Sequence, residues 1–188
     1  MTLQIISSLE DFIIGFVGRL DIYTKGLDLL IEAFYAFSKD KKTKLWIVGD
    51  SPQMANLKEM IAPLPLNDKI TLWGRKFGEE KMELLQQMDA FVHSSRNEGL
   101  PTAVLEAASF GVPCVITEAT NLKYYVTKYN AGICVPNENI PSLIQAFEKL
   151  YNQWSSNNLG PYKKNTQQML ETEFNWENLV KEFDQLYR

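Results

Sequence analysis

The sequence predicts an α/β fold, in which a doubly wound parallel sheet is flanked by helices and followed by further C-terminal helices. Short apolar runs alternate along the chain with segments whose apolar residues recur every three or four positions. Continuous apolar runs are typical of strands buried on both faces of a parallel sheet, and the second pattern is typical of amphipathic helices. The alternation lasts for roughly 140 residues, so it predicts a series of βαβ units in one sheet.

The strands and helices are predicted in the following order. Strands are expected at 12–18, 44–50, 69–74, 89–94, 112–117 and 132–135, and helices at 27–37, 57–61, 82–88, 103–110 and 140–154. The stretch 121–130 is expected to be irregular. Residues 155–161 are rich in Ser and Asn and predict a linker, and two helical pieces follow it. The last piece, 176–187, has apolar residues at helical spacing. We therefore divide the chain into a sheet domain at 1–154 and a linker with a helical extension at 155–188, which is expected to pack on the same domain.

Composition limits the classes of function. The chain has 188 residues, 45% of them hydrophobic and 22% charged, which is typical of one globular domain. The formal net charge of -4 and the lack of a basic stripe argue against nucleic acid as a partner. No apolar run approaches the length of a membrane span and no signal peptide is recognisable, so a cytoplasmic protein without a transmembrane segment is expected. Cys114 and Cys134 lie in apolar runs and are expected to be buried free thiols. A metal site is not expected, because His93 is the only histidine.

The most informative stretch is residues 94–106, which predicts the end of a strand, a polar turn and the start of a helix. Glu98 lies in the turn and Glu106 lies in the helix, eight positions further on. Pro101 suits the first position of a helix, and Gly99 allows close approach of the backbone. The N–H groups at the start of a helix favour anions, so a phosphorylated sugar would suit this place. The alternative is an ordinary strand–turn–helix corner with surface acids.

A second candidate lies in the loop after the first strand, where Arg19 and Lys25 are six positions apart. An arginine fork and a lysine point charge on one loop would suit a diphosphate, although two exposed loop cations would give the same pattern. In a doubly wound sheet, ligands bind at the carboxyl ends of the strands. The loops after the first and fourth strands are both expected at that edge, which predicts one polar site.

Several motifs together resemble the retaining GT-B glycosyltransferases of group 1, glycosyltransferase family 4. They are Gly18-Arg19 to Lys25-Gly26, Ile47-Val48-Gly49, Leu72-Trp73-Gly74, the Glu-x7-Glu pair within 95–106, and Gly111-Val112-Pro113. The resemblance covers roughly residues 12–187. It implies that the chain is the C-terminal, Rossmann-like half of a GT-B fold, which binds a UDP-sugar or GDP-sugar donor. It further implies transfer of a hexose-type sugar to a glycan or lipid-linked acceptor in polysaccharide biosynthesis, with no cofactor or metal, in the cytoplasm or at the inner face of a membrane.

The resemblance also assigns roles to residues. It implies that Arg19 and Lys25 grip the donor diphosphate, that Glu98 lies close to the donor sugar, and that Glu106 accepts hydrogen bonds from the ribose. These implied catalytic residues are Glu98, Arg19 and Lys25. The full implied donor-binding set is Gly18, Arg19, Lys25, Gly74, Arg75, Lys76, Glu98, Gly99, Leu100, Pro101, Thr102 and Glu106.

Two departures from the family pattern affect what is expected. The loop at 117–124 lacks the family's Gly-Gly pair and following Glu. Only about ten residues precede the first strand, so the N-terminal half that binds the acceptor is expected to be missing or supplied by a partner chain, and this chain alone is expected to be inactive. The first alternative is a non-catalytic module that completes a GT-B cleft with a separate partner. The second is another GT-B enzyme, such as a nucleotide-sugar epimerase or a phosphorylase.

Overall fold

The computed structural model describes residues 11–66 and 68–175 and confirms the predicted α/β fold. Its strands are β1 Phe12–Val17, β2 Thr43–Val48, β3 Ile70–Gly74, β4 Ala90–His93, β5 Cys114–Thr117 and β6 Gly132–Val135. They form one parallel sheet in the order β3-β2-β1-β4-β5-β6. Every residue of β1 is buried, as expected for a central strand covered on both faces.

The helices form a layer on each face of the sheet. They are α1 Leu27–Phe37, α2 Met54–Ile61, α3 Gly78–Gln86, α4 Thr102–Ser109, α5 Lys123–Tyr129, α6 Ile140–Ser155 and α7 Gly160–Glu173. On one face α1, α2 and α6 bury a cluster that includes Phe34 and Phe147. On the other face α3, α4, α5 and α7 bury a cluster that includes Val104 and Met169. Within the described ranges, no helix is long and apolar enough to cross a membrane.

The prediction of an irregular stretch at 121–130 was wrong, because residues 123–129 form α5. This helix has seven residues and buries only Val126, so too few apolar positions repeat to reveal a helical period. The left-handed Asn130, with φ 50°, ends it. The expected linker at 155–161 is also shorter than predicted, because α7 begins at Gly160.

Smaller corrections concern single positions. Pro101 precedes α4 instead of occupying its first position, and α3 ends at Gln86, before Met88. Cys114 is buried, but Cys134 is only half-buried. The predicted helical piece at 176–187 lies outside the described residues.

The strand order creates a crevice between β1 and β4. The chain proceeds from β1 towards β2 and β3 on one side, and from β4 towards β5 and β6 on the other. The connections after these two central strands diverge to opposite sides, and in such sheets the resulting crevice is where ligands bind. The segments that follow β1 and β4 are residues 18–26 and 94–101.

Candidate functional site

The segments after β1 and β4 lie directly against one another. The Ser94 hydroxyl lies 3.1 Å from the carbonyl oxygen of Lys25 and 2.9 Å from that of Gly26, and it donates to these acceptors. Gly26 has φ 63°, and a Cβ atom there would lie 2.1 Å from the Ser94 carbonyl oxygen. Only glycine permits both the backbone angle and this close approach. The contact places Lys25 opposite Glu98.

Lys25 and Glu98 form an ion pair between Nζ and Oε2, with 16% and 19% of their side chains exposed. Burial alone would raise the pKa of Glu98, but the hydrogen bonds from Lys25 and His93 outweigh it and hold that pKa below its usual value. Glu98 is therefore a carboxylate at neutral pH. The pair brings together two residues that are 73 positions apart in the sequence.

His93 supports Glu98 from beneath. Its Nε2 atom lies 3.2 Å from Glu98 Oε2 and 3.0 Å from Ser95 Oγ, while its Nδ1 atom is buried with no hydrogen-bond partner among the described residues. Burial lowers the pKa of His93, which keeps the ring neutral at pH 7. A carboxylate can only accept, so the ring proton belongs on Nε2, where it is donated to Glu98. His93 thus orients Glu98.

Glu106 is held by a lysine that the sequence reasoning did not identify. Lys81 Nζ on α3 donates to both carboxylate oxygens of Glu106, each at 2.9 Å. The pair is more open to solvent than the pair at Glu98, with the Glu106 side chain 41% exposed. No local pattern marks Lys81, because it lies in a charged helix and the pairing depends on how α3 rotates against α4.

A cleft of about 410 Å³ runs along the carboxyl ends of β1, β2 and β3. Gly18, Arg19, Arg75 and Lys76 line it, together with Gly49 to Pro52 and the exposed Phe77. Arg19 is 71% exposed at its side chain, and its guanidinium lies 3.7 Å from Asp21. Lys76 pairs with Glu80 at 3.0 Å.

Arg19 and Lys25 both act on Asp21. The pKa of Asp21 is lowered, chiefly by the hydrogen bond from the Thr24 N–H and further by the charges of Arg19 and Lys25. The two cations have different surroundings, because Arg19 lines the cleft and Lys25 contacts Glu98. That Arg19 and Lys25 grip one diphosphate together stays a prediction.

The turn before α4 is fixed against the next connection. The Glu98 N–H donates to the Ala119 carbonyl at 3.3 Å, and the Gly99 carbonyl accepts from the Asn121 N–H at 3.2 Å. Gly99, Leu100 and Thr102 are exposed, whereas Pro101 is buried. No side chain caps the start of α4, although the Val104 N–H donates to the Pro101 carbonyl at 3.0 Å.

Of the predicted site residues, two groups are brought together. Lys25, Glu98 and the turn 99–102 lie at the crevice between β1 and β4, and Gly18, Arg19, Arg75 and Lys76 line the cleft beside it. Gly74 ends β3 and accepts from the Gly49 N–H at 2.8 Å, beneath the cleft. Within residues 11–66 and 68–175, no group of three His, Cys, Asp or Glu residues is placed to hold a metal ion.

Comparison with known proteins gives a family for this arrangement. The sequence profile of the family described as Glycosyl transferases group 1 matches residues 4–169. A relative in Bacillus anthracis, N-acetyl-alpha-D-glucosaminyl L-malate synthase, is 23% identical over 159 residues, which is 84% of this chain and 40% of that protein. The chain spans less than half the length of the first curated relatives that it matches.

Two solved structures share the fold. Alr3699/HepE of Anabaena, in complex with UDP-glucose, has a TM-score of 0.78 and 19% identity, over 94% of this chain and 48% of that one. The C-terminal domain of a glycosyl transferase group 1 family protein, LpcC of Francisella tularensis, has a TM-score of 0.77 and 19% identity, over 89% of this chain and 88% of that one. At such identities the likeness concerns the fold alone.

Proposed function

Because the chain belongs to the glycosyltransferases of group 1, we propose that it binds the nucleoside-diphosphate sugar donor of a retaining GT-B enzyme of family 4, as its C-terminal half. The observation that carries the proposal is the pair Lys25–Glu98 in the crevice between β1 and β4, beside a cleft lined by further cations. Two similar structures support it, one determined with UDP-glucose and one of a C-terminal domain by itself.

The donor is proposed to lie along the carboxyl edge of the sheet. Its base and ribose occupy the side of Arg75, Lys76 and Glu106, and its diphosphate lies near Arg19 and Lys25. Helix N-termini favour anions, so the N–H groups at the start of α4 add to the attraction for phosphate. The donor sugar lies near Glu98, whose carboxylate accepts hydrogen bonds from sugar hydroxyls.

The chemistry follows from where charge develops. When the bond between the anomeric carbon and the outer phosphate oxygen breaks, its electrons remain on the phosphate. Lys25 Nζ, held beside Glu98 at the proposed position of the donor sugar, is a cation that can stabilise this charge. Fixed cations and N–H groups stabilise such charge more in the transition state than in the ground state, and losing one costs on the order of a few kcal/mol.

A second unit is proposed to face this edge and to hold a glycan or lipid-linked acceptor for a hexose-type sugar. Large apolar side chains are exposed on the connections that surround the site, namely Tyr23, Phe77 and Leu100. Their exposure also favours the alternative, a non-catalytic half that completes a cleft with a partner chain. Both versions require a donor to bind, and they differ in whether sugar transfer appears when the second unit is added.

Thermal unfolding with UDP-, GDP- and ADP-sugars tests donor binding. A ligand that binds only the folded chain raises its stability by about 2.7 kcal/mol at a hundred times its dissociation constant. For a domain of this size, that is a rise in Tm of roughly 5–10 °C. No rise with any nucleoside diphosphate sugar would contradict the proposal.

Variants locate the site once a donor is found. Arg19→Ala and Glu106→Ala are expected to weaken binding in calorimetry while leaving Tm without donor nearly unchanged, because both side chains are substantially exposed. Lys128→Gln is a matched control, since Lys128 pairs with Glu173 between α5 and α7. An equal loss of donor affinity in Lys128→Gln would show that binding responds to the overall charge of the chain and not to these two residues.

A further inference from the structure

Arg96 makes a dense set of contacts that the donor proposal does not use. Its Nη1 and Nη2 atoms donate to the two carboxylate oxygens of Asp28 at 2.8 and 2.7 Å, and its Nε atom donates to Glu138 at 2.6 Å. Nη1 also donates to the Tyr23 carbonyl at 2.7 Å, and the guanidinium lies 4.4 Å from the centre of the Tyr23 ring. Only 12% of the Arg96 side chain is exposed.

These contacts join the two segments that carry Lys25 and Glu98. Asp28 is in the first turn of α1 and Tyr23 is in the loop before it, so both belong to the segment of Lys25. The Arg96 N–H also donates to the Thr24 carbonyl at 2.9 Å. Arg96 itself is two positions before Glu98. Its side chain and backbone therefore clamp the loop on one side of Lys25 and the start of α1 on the other.

We propose that Arg96 is a positioning residue, which holds Lys25 and Glu98 at the separation that donor binding requires. The inference rests on the proposed function of that pair. Lys25 reaches Glu98 from a loop, and loops hold side chains less firmly than helices or strands do. A planar guanidinium that binds a carboxylate through two parallel hydrogen bonds fixes direction as well as distance.

The contacts argue against a role in folding alone. The guanidinium has polar partners: it donates to two carboxylates and one carbonyl, and the exposed Tyr23 ring lies against it. Burial would raise the pKa of Asp28, but the hydrogen bonds from Arg96 and from the Leu29 N–H, together with the charge of Arg96, outweigh burial and lower that pKa. The clamp is thus a charged pair at neutral pH, lying at the edge of the site and not in the core.

A double-mutant cycle between Arg96 and Lys25 tests the inference. Arg96→Lys keeps the charge but loses the fork, and we expect it to weaken binding of the best donor from the thermal screen on the order of tenfold. In a Lys25→Ala background the same change is expected to weaken binding less than about twofold, because the residue that Arg96 positions is gone. Equal losses in the two backgrounds would overturn the inference.

Amide hydrogen exchange without donor provides a readout that does not depend on the proposed function. Arg96→Lys is expected to speed exchange in residues 23–26, whereas the control Lys128→Gln is not. If no donor binds the wild type, the proposed function fails. The positioning inference then fails only if exchange in residues 23–26 is also unchanged in Arg96→Lys. Asp28→Asn removes the charge of the carboxylate that accepts two hydrogen bonds from Arg96. It is therefore also expected to speed exchange in residues 23–26.

Discussion

Glu98 and Glu106 are held in the site in different ways. Glu98 is largely buried and is contacted from two sides by Lys25 and His93, whereas Glu106 is more exposed and is contacted by Lys81 alone among its described partners. Exposed ion pairs contribute little stability, so the pair at Glu106 is better explained by orientation than by folding. A carboxylate has more acceptor sites than one lysine can fill, which leaves Glu106 able to accept from ribose hydroxyls.

Lys81→Met is therefore expected to weaken binding of a nucleoside diphosphate about fivefold, because Glu106 loses the group that orients it. The lost affinity is expected to come from contacts with the ribose hydroxyls. In calorimetry, the preference of the wild type for a ribonucleotide over its 2′-deoxy form should narrow in Lys81→Met. An unchanged preference would show that Lys81 does not act through Glu106.

Asp89 gives a separate prediction about stability and pH. Burial raises the pKa of Asp89 to about 6, although the carboxylate accepts a 2.9 Å hydrogen bond from the Ile13 N–H. Because this pKa is above the unfolded value of 3.8, folding favours the protonated form of Asp89. The stability gained in this way is complete below about pH 4 and is lost as the pH rises through about 6. Asp89→Asn keeps an acceptor oxygen without the charge, so it is expected to raise the free energy of unfolding at pH 7 by up to about 3 kcal/mol.

The measurement for Asp89 is urea unfolding of both proteins between pH 4 and pH 7.5. Asp28 and Glu98 have lowered pKa values, and they make the wild type gain stability as pH rises through the acidic range. They act equally in both proteins, so the difference in free energy of unfolding between wild type and Asp89→Asn at each pH isolates the contribution of Asp89. The difference should grow from pH 4 to pH 6.5. Parallel curves would contradict the assignment.

At the scale of elements, the connection from β1 to α1 depends on one glycine. Gly26 precedes α1 with φ 63°, and an added Cβ atom would lie 2.1 Å from the Ser94 carbonyl oxygen. Gly26→Ala is expected to lower the free energy of unfolding by roughly 3 kcal/mol or more, since left-handed strain and a backbone clash add together. Gly74→Ala is the matched control, because Gly74 has φ 67° but open space around the added Cβ.

Gly74→Ala should lower the free energy of unfolding by only about 1–2 kcal/mol, which is the cost of the left-handed backbone angle alone. Urea unfolding of both variants separates the two contributions. If Gly26→Ala and Gly74→Ala lose the same amount, the close approach between the segments after β1 and β4 does not limit the substitution, and the tight placement of Lys25 against Glu98 would need another explanation.

The elements differ in how far local sequence determines them. β1 was predictable because all six of its residues are buried and apolar or glycine, so the pattern is continuous. α5 was not predictable, because a helix of seven residues with one buried side chain is too short to show a period, and its contacts with α7 come from residues distant in sequence. The same limit applies to the site. Lys25 and Glu98 were identifiable from their loops, but the pairs Lys81–Glu106 and Arg96–Asp28 depend on how separate elements are packed.

At the scale of the whole molecule, two electrostatic effects oppose one another at the site. The chain has a formal net charge of -4, which repels a nucleoside diphosphate. The carboxyl edge of the sheet nevertheless collects Arg19, Lys25, Arg75 and Lys76, which attract it. Salt weakens both effects, because the screening length falls from about 30 Å at 0.01 M to about 8 Å at 0.15 M ionic strength. If added salt lowers the affinity, attraction by the site cations is the larger effect. If added salt raises the affinity, repulsion by the net charge is the larger effect.

We expect the affinity for a nucleoside diphosphate to fall as salt is raised from low to physiological concentration. In the proposed arrangement Arg19 and Lys25 lie near the diphosphate, whereas the excess negative charge is spread over the whole surface, so attraction is expected to outweigh repulsion. Calorimetry with the diphosphate and with its uncharged nucleoside separates this effect from other effects of salt, because the affinity for the nucleoside should stay nearly constant. Affinity for the diphosphate that rises with salt would mean that net charge dominates, and the cations at the carboxyl edge would then not form a phosphate site.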